Sequence, residues 1–313
     1  MQRHNEIQTV LSAFDGIGCS RLALNQLGIK PKNFYASEND KYATSITKKH
    51  FNDIVHLGDI TKITGEEITE PVDLLIGGSP CQGFSKAGDR LNFEDPRSRL
   101  FWDFVRLLKV LKPRYFLLEN VVMNKESSAI ISEALEYDFI QINSSLVSAQ
   151  NRRRLYWTNL QVTQPDDRNI TLQSILEKDV DEHYYLTQYQ KDFISDPVRL
   201  KKKYTAIDGE KSLTLKKDIN QLQGTHVTDT RGPTSKSNIR KLTPVEAERL
   251  QNIPDGYTET GIMDGKSYHL TNARRFRLLG NGFNVNTISW ILSPLLLEKP
   301  PTKEKKAIQI RMI

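Results

Sequence analysis

The chain has 313 residues, 26% of them charged and 38% from the main apolar set, the balance of a globular protein large enough for one α/β domain with a smaller lobe. No apolar run approaches the ~20 residues of a membrane span; Trp290 to Leu297 is broken by Ser293-Pro294 and the opening residues lack a secretory core, so no membrane association and a cytoplasmic location are expected. The net charge of +6 weakly favours a polyanionic partner, while two cysteines, Cys19 and Cys81, without Cys-x-x-Cys or histidine-rich spacing, suggest neither a disulfide framework nor a metal site.

Thr9 to Phe14 reads as a first strand, and Cys19 to Leu27 as a helix with Leu22, Ala23 and Leu27 on one face and Gly28 as its cap. Phe34 to Ala36 is a second strand, ending at Ser37-Glu38-Asn39-Asp40. Val72 to Ile76 is a buried strand that runs into Gly77-Gly78-Ser79-Pro80. Leu100, Phe101, Phe104, Leu107, Leu108 and Leu111 recur with helical period until Lys112-Pro113 stops them. Tyr115 to Leu118 is a short apolar strand that delivers Glu119-Asn120, and Phe139 to Val147 is another, ahead of Gln150-Asn151-Arg152-Arg153-Arg154. This alternation predicts repeated βα units on a doubly wound, mostly parallel sheet.

Around Gln164-Pro165-Asp166-Asp167 the chain turns polar, lysine-rich and poorly periodic, which predicts a small, irregular lobe up to Asn238. Order returns at Thr243-Pro244-Val245-Glu246, where Thr can cap a helix, Pro can take its first position and Glu can close a capping box. Gly280-Asn281-Gly282 then precedes an amphipathic stretch from Val285 to Leu292, and the end of the chain is a basic tail. The expected division is 1–160, a lobe over 161–238, a return to the first domain over 239–297, and a tail over 298–313. The basic clusters Arg152 to Arg154, Lys201 to Lys203, Arg240-Lys241 and Arg274-Arg275 with Arg277 can share one face, solvated loops being the plain alternative.

Phe14-Asp15-Gly16-Ile17-Gly18 lies between strand and helix, where glycines let a ligand approach the backbone. Arg21 stands where the dinucleotide fingerprint has its third glycine, which argues against a pyrophosphate and a nicotinamide dehydrogenase. Glu38, about 20 residues after Gly18, is placed to grip both hydroxyls of a ribose, and Asp59 to accept from an adenine amino group. S-adenosylmethionine, which has a ribose and an adenine but no phosphate, meets that description. Cys19 falls in a helix pattern and reads as an inert small hydrophobe. Cys81, in Ser79-Pro80-Cys81-Gln82-Gly83-Phe84-Ser85, follows a buried strand among polar and turn residues and reads as a nucleophile. A thiol there and the Glu119 carboxyl at a neighbouring strand end can add to, and protonate, an electron-poor ring. Alternation aims Gln150, Arg152 and Arg154 to one side, where guanidinium groups suit phosphate or the carbonyl oxygen of a base.

In this order the blocks resemble the cytosine-C5 DNA methyltransferase family. They are Phe14-x-Gly16-x-Gly18, Pro80-Cys81-Gln82, Glu119-Asn120-Val121, Gln150-x-Arg152-x-Arg154, the run from Arg240 through Leu242-Thr243-Pro244, Glu246 and Arg249-Leu250-Gln251, and Gly280-Asn281-Gly282, spanning about Val10 to Leu292. Ala36-Ser37-Glu38 and Leu100 to Phe104 are similar to the branch related to animal de novo enzymes, at bacterial or phage length, while Ser79 stands where the tRNA-directed branch has a further proline. Asn252-Ile253-Pro254 replaces the usual Gly-Phe-Pro, and Gly282 a common Ser.

The resemblance implies methyl transfer from S-adenosylmethionine, leaving S-adenosyl-L-homocysteine, to C5 of a flipped-out cytosine through a covalent bond between Cys81 and C6, without a metal. Its catalytic group would be Cys81, Glu119, Arg152 and Arg154. The cofactor would be held by Phe14, Asp15, Gly16, Gly18, Glu38, Asn39, Asp59, Ile60, Pro80, Leu100 and Asn281, and DNA by Gln82, Ser85, Gln150 and Arg240. Residues 161–238 would be the target-recognition region. The partners implied are double-stranded DNA and, functionally rather than physically, a cognate restriction endonuclease, for a monomer in a bacterial or phage-infected cytoplasm.

Overall fold

The computed structural model describes residues 6–80, 96–202, 205–215, 223–232 and 236–297, without the side chains of 96–99. Cys81, Gln82, Ser85, Lys203 and the tail at 298–313 lie outside the described residues. Seven strands form the main sheet: β1 (Thr9–Ala13), β2 (Asn33–Ser37), β3 (Ile54–His56), β4 (Leu74–Gly77), β5 (Tyr115–Val121), β6 (Phe139–Asn143) and β7 (Arg153–Thr158), in the order β3-β2-β1-β4-β5-β7-β6. The first five run parallel, and β7 alone is antiparallel to its neighbours β5 and β6. This is the expected doubly wound, mostly parallel α/β fold.

The central strands are apolar throughout because both faces are covered. Along β5, Tyr115 and Leu117 enter one core, while Phe116 and Leu118 enter the other. Strand β4 divides the same way, with Leu74 and Ile76 on the first side and Leu75 on the second. The first core lies under α1 (Cys19–Gln26), α2 (Lys41–His50) and the C-terminal helices; the second lies under α3 (Pro96–Leu111) and α4 (Lys125–Leu135). Two strand ends differ from the sequence reading. Strand β5 continues through Glu119 and Asn120, and β6 stops at Asn143, whose side chain accepts the Ser145 N–H and opens a 3-10 turn over Ser144–Leu146.

The lobe carries α5 (Gln188–Ile194), α6 (Pro197–Lys201), β8 (Thr205–Ile207), β9 (Gly224–Thr228) and β10 (Ile239–Lys241), its sheet ordered β10-β9-β8. The lobe's sheet therefore runs beyond residue 238, where a return to the first domain was expected. The chain then forms α7 (Pro244–Leu250), the hairpin of β11 (Thr260–Met263) and β12 (Lys266–His269), α8 (Asn272–Asn281) and α9 (Val285–Leu292). Helix α7 starts with the expected capping box between Thr243 and Glu246, and Pro244 occupies its first turn. Helix α9 packs on α1, with Ser289 Oγ donating to the Ala23 carbonyl at 3.2 Å. Asn252, in the position of a usual glycine, has φ 56°, a left-handed conformation that Asn tolerates better than most residues.

Three arginines of the basic clusters are withdrawn from the surface. Arg152, Arg240 and Arg275 are buried, Arg275 against Glu248 at 3.0 Å, and Arg274 lies 3.2 Å over the Tyr42 ring. Among the described residues no helix is long and apolar enough to cross a membrane.

Candidate active site

The chain steps outward from β1 through β2 to β3, then returns to place β4 on the other side of β1. Ligands of open α/β sheets bind where the strand order reverses, beyond the carboxyl ends of the strands. Residues 14–18, 38–40, 57–59 and 78–80 leave those ends here. Glu38 is fixed by three main-chain donors, Gly16 N–H at 2.8 Å, Asn39 N–H at 2.8 Å and Asp40 N–H at 2.7 Å. Asp59 accepts the Thr61 N–H at 3.0 Å, and this bond, with a contact from the Asn39 side chain, holds its carboxyl below the usual range. A Cβ at Gly16 or Gly58 would meet nothing within 4 Å, so both loops face open space. Two oriented carboxylates beside an open glycine loop suit hydroxyl and amino donors better than phosphate.

Of the other residues expected around a cofactor, Phe14 is half-buried with φ 56°, Gly18 and Ile60 are buried, Leu100 is half-buried, and Asn39, Pro80 and Asn281 are exposed. Asp15 points inward instead. Its Oδ1 accepts the Ser20 hydroxyl at 3.0 Å, its Oδ2 is buried without a hydrogen-bond partner, and burial pushes its carboxyl up to about 6.

One strand further along lies the acid. Val121 of β5 pairs with Arg154 of β7, and Glu119, two residues before Val121, projects from the same face. Arg154 Nε meets Glu119 Oε1 at 2.8 Å, with side-chain exposures of only 14% and 13%. Gly78 makes room for this pair: a Cβ there would lie 2.7 Å from the Phe283 ring and 3.1 Å from Glu119 Oε2. Asn120, on the opposite face of β5, donates its side-chain amide to Ser79 Oγ at 3.1 Å and Ser79 O at 3.3 Å, and so ties β5 to the segment leading into Pro80-Cys81. The Glu-Asn-Val block contained Asn120, but its clamping role depends on β4 and β5 being neighbours. Phe283 had no sequence signal beyond its apolar character.

Three further expected site residues, besides Asp15, face inward. Arg152 is buried and donates to the carbonyls of Gly282 at 2.8 Å, Gly280 at 3.2 Å and Leu215 at 3.3 Å, joining β7 to the turn after α8 and to the lobe. Burial, aided by neighbouring Arg154, lowers its pKa to about 10. A Cβ at Gly282 would come within 3.2 Å of Cys19 Sγ, so glycine avoids a tight contact there. Gln150 is buried, its amide near the Leu250 carbonyl at 3.5 Å and its oxygen accepting Leu215 N–H at 3.3 Å. Arg240 is fully buried between Asp229 at 3.0 Å and Glu246 at 2.8 Å, which gives it a structural place in the lobe and leaves it no surface to offer to DNA. Cys19 is buried, and desolvation raises its thiol to about 12.

A seven-stranded, mostly parallel sheet with two fixed carboxylates and an open glycine loop at its reversal point, and an acid–arginine pair one strand away, has the architecture of S-adenosylmethionine-dependent methyltransferases. The Dnmt2 methyltransferase of S. pombe shares the fold with a TM-score of 0.70, at 21% identity over 92% of this chain and 98% of that one. The C-5 cytosine-specific DNA methylase family profile matches residues 8–296. Type II methyltransferase M1.ScrFI of Lactococcus lactis subsp. cremoris is 31% identical, over 93% of this chain and 79% of its own length. Type II methyltransferase M.HpaII of Haemophilus parainfluenzae is 31% identical over 83% of each protein. The chain belongs to the C-5 cytosine-specific DNA methylase family and is a DNA (cytosine-5-)-methyltransferase.

Proposed function

We propose that Cys81, Glu119 and Arg154 carry the reaction on a cytosine flipped out of double-stranded DNA, and that the crevice of residues 14–18, 38–40 and 57–59 holds S-adenosylmethionine. The 2.8 Å pair of Glu119 and Arg154, at a strand end beside the loop that leads to Cys81, carries this reading. Glu38 would accept from the ribose hydroxyls and Asp59 from the adenine amino group. When bound, S-adenosylmethionine supplies a methyl group activated by a positively charged sulfur.

Cytosine C5 is a weak nucleophile, so the base must first be made electron-rich. The Cys81 thiolate adds to C6, and the electrons of the C5–C6 double bond shift onto the ring as Glu119 gives a proton to N3. Arg154 steadies Glu119 and donates to O2, where negative charge builds up. After C5 has taken up its methyl group, loss of the C5 proton to water restores the double bond and breaks the C6–S bond, which frees the thiolate, and N3 returns its proton to Glu119. None of this is possible in a stacked pair, and extruding the base costs a few kcal/mol. Arg152 positions β7 from beneath the site. The enzyme acts as a monomer without a metal, and the type II designation of the Lactococcus and Haemophilus relatives supports a cognate restriction endonuclease as its functional partner.

Oligonucleotides carrying 5-fluorocytosine test the mechanism, because fluorine at C5 blocks the final elimination. With S-adenosylmethionine present, the full chain is expected to form a denaturation-resistant adduct that Cys81→Ala cannot form, and Glu119→Gln to form it far more slowly. No adduct in any duplex context, or an undiminished adduct with Cys81→Ala, refutes the assignment of the nucleophile.

A further inference from the structure

Tyr257 reaches the glycine loop from the far end of the chain. Its hydroxyl donates to the carbonyl of Ile17 at 2.7 Å, in a buried bond that spans 240 residues of sequence. The phenol has little freedom to be anywhere else. Its ring stacks on His50 at 3.9 Å and 11°, and its own carbonyl bonds His50 Nε2 at 2.9 Å. On either side of it, the N–H groups of Gly256 and Thr258 each donate to the Glu248 carboxylate at 2.7 Å. Gly18 completes the fit: with φ 79°, a Cβ there would lie 3.3 Å from the Tyr257 hydroxyl and 3.1 Å from both Phe51 and Thr47.

The bond lands at the most adaptable point of the loop. Ile17 sits between Gly16 and Gly18, both at positive φ, where the backbone can take several conformations at little cost. A buried carbonyl without a donor would turn toward water, and the loop would redistribute with it.

We propose that Tyr257 is a positioning residue for S-adenosylmethionine: its hydroxyl holds the Ile17 carbonyl, and with it residues 14–18, in the conformation that receives the cofactor. The inference rests on the assignment of this crevice to S-adenosylmethionine. Without the latch, only a fraction of molecules present the competent loop, and apparent affinity falls by that fraction. Chemistry in the loaded enzyme is untouched, since the Tyr257 side chain is engaged with Ile17 and His50 and the Glu119 side chain with Arg154.

The test is Tyr257→Phe in the full chain, which keeps the ring and its stack and removes one oxygen. Calorimetry is expected to show S-adenosylmethionine binding about fivefold more weakly, the worth of one ordinary hydrogen bond. The KM for the cofactor should rise in step, while kcat at saturating cofactor stays within about twofold. In the cofactor-free variant, amide hydrogen exchange at residues 16–20 should quicken while β1 stays protected. Unchanged affinity and unchanged exchange, with normal wild-type binding, overturn the inference alone. A kcat at saturating cofactor that falls as much as affinity, with exchange raised across the whole sheet, makes Tyr257 a general structural residue and also overturns it. A wild-type chain that does not bind S-adenosylmethionine refutes the crevice assignment itself.

Discussion

Replacing Arg240 by Met separates a structural arginine from a phosphate-binding one. Its guanidinium is fully buried, bidentate to Glu246 at 2.8 and 2.9 Å, and bonded to Asp229 at 3.0 Å. On its loss Asp229 keeps Arg231 at 2.8 and 2.9 Å, but Glu246, fully buried too, keeps among the described residues only the neutral N–H groups of Thr243 and Glu177, each at 2.9 Å. Stranding one carboxylate of a buried pair costs about 3–5 kcal/mol. The two remaining N–H donors favour the lower end, so thermal unfolding should begin roughly 6–12 °C lower. Arg240→Met with Glu246→Gln should regain most of that loss, because the stranded charge is gone and Gln still serves in a capping box. A phosphate contact behaves differently: its removal leaves unfolding nearly unchanged and flattens the dependence of log K for DNA on log salt by about 0.9. Circular dichroism melting and a salt series of DNA binding, run on the same variants, distinguish the two. An unfolding temperature within about 1 °C of wild type, with the flatter salt slope, would refute the structural role.

Two further outcomes are expected. Burial holds Asp15 near 6 in place of 3.8, so the folded chain binds more protons than the unfolded one between those values, and stability falls as pH rises through that window and levels off above it. Asp15→Asn removes this dependence, so the variant should gain on the order of 3 kcal/mol relative to wild type between about pH 4 and 6.5; a pH-independent difference in denaturant unfolding would count against a buried, titrating Asp15. Cys19 is buried with its thiol at about 12, so Cys81→Ser should resist alkylation at pH 8 until denaturant is added, and mass spectrometry showing a native adduct would contradict this.

Much of the first half was legible because its signals are local. Strand runs, the Phe14-Asp15-Gly16-Ile17-Gly18 turn and the acids Glu38 and Asp59 after β2 and β3 follow from short-range periodicity and from the rule that parallel strands deliver loops to one edge. The capping box at Thr243 and Glu246 is local as well, since both bonds close within one turn. The stop of β6 at Asn143 was missed because one Asx bond outcompeted a continuing β pattern. The burial of Arg152, Arg240 and Arg275 was not legible, because a guanidinium's exposure depends on where its carboxylate or carbonyl partners lie in space. Arg275 is claimed by Glu248, 27 residues away, and Arg152 by carbonyls 63 to 130 residues away.

By itself the sequence determined the βα order, the glycine loop, the strand-end acids and the residue types proposed to carry methyl transfer, since each is written in residues that are neighbours along the chain. Only the tertiary structure decided that Arg154 rather than Arg152 meets Glu119, that Arg240 is locked in the lobe, and that Tyr257 closes on Ile17. Those outcomes depend on which strands become neighbours and on which buried charge or carbonyl needs a partner, and both are settled by long-range packing.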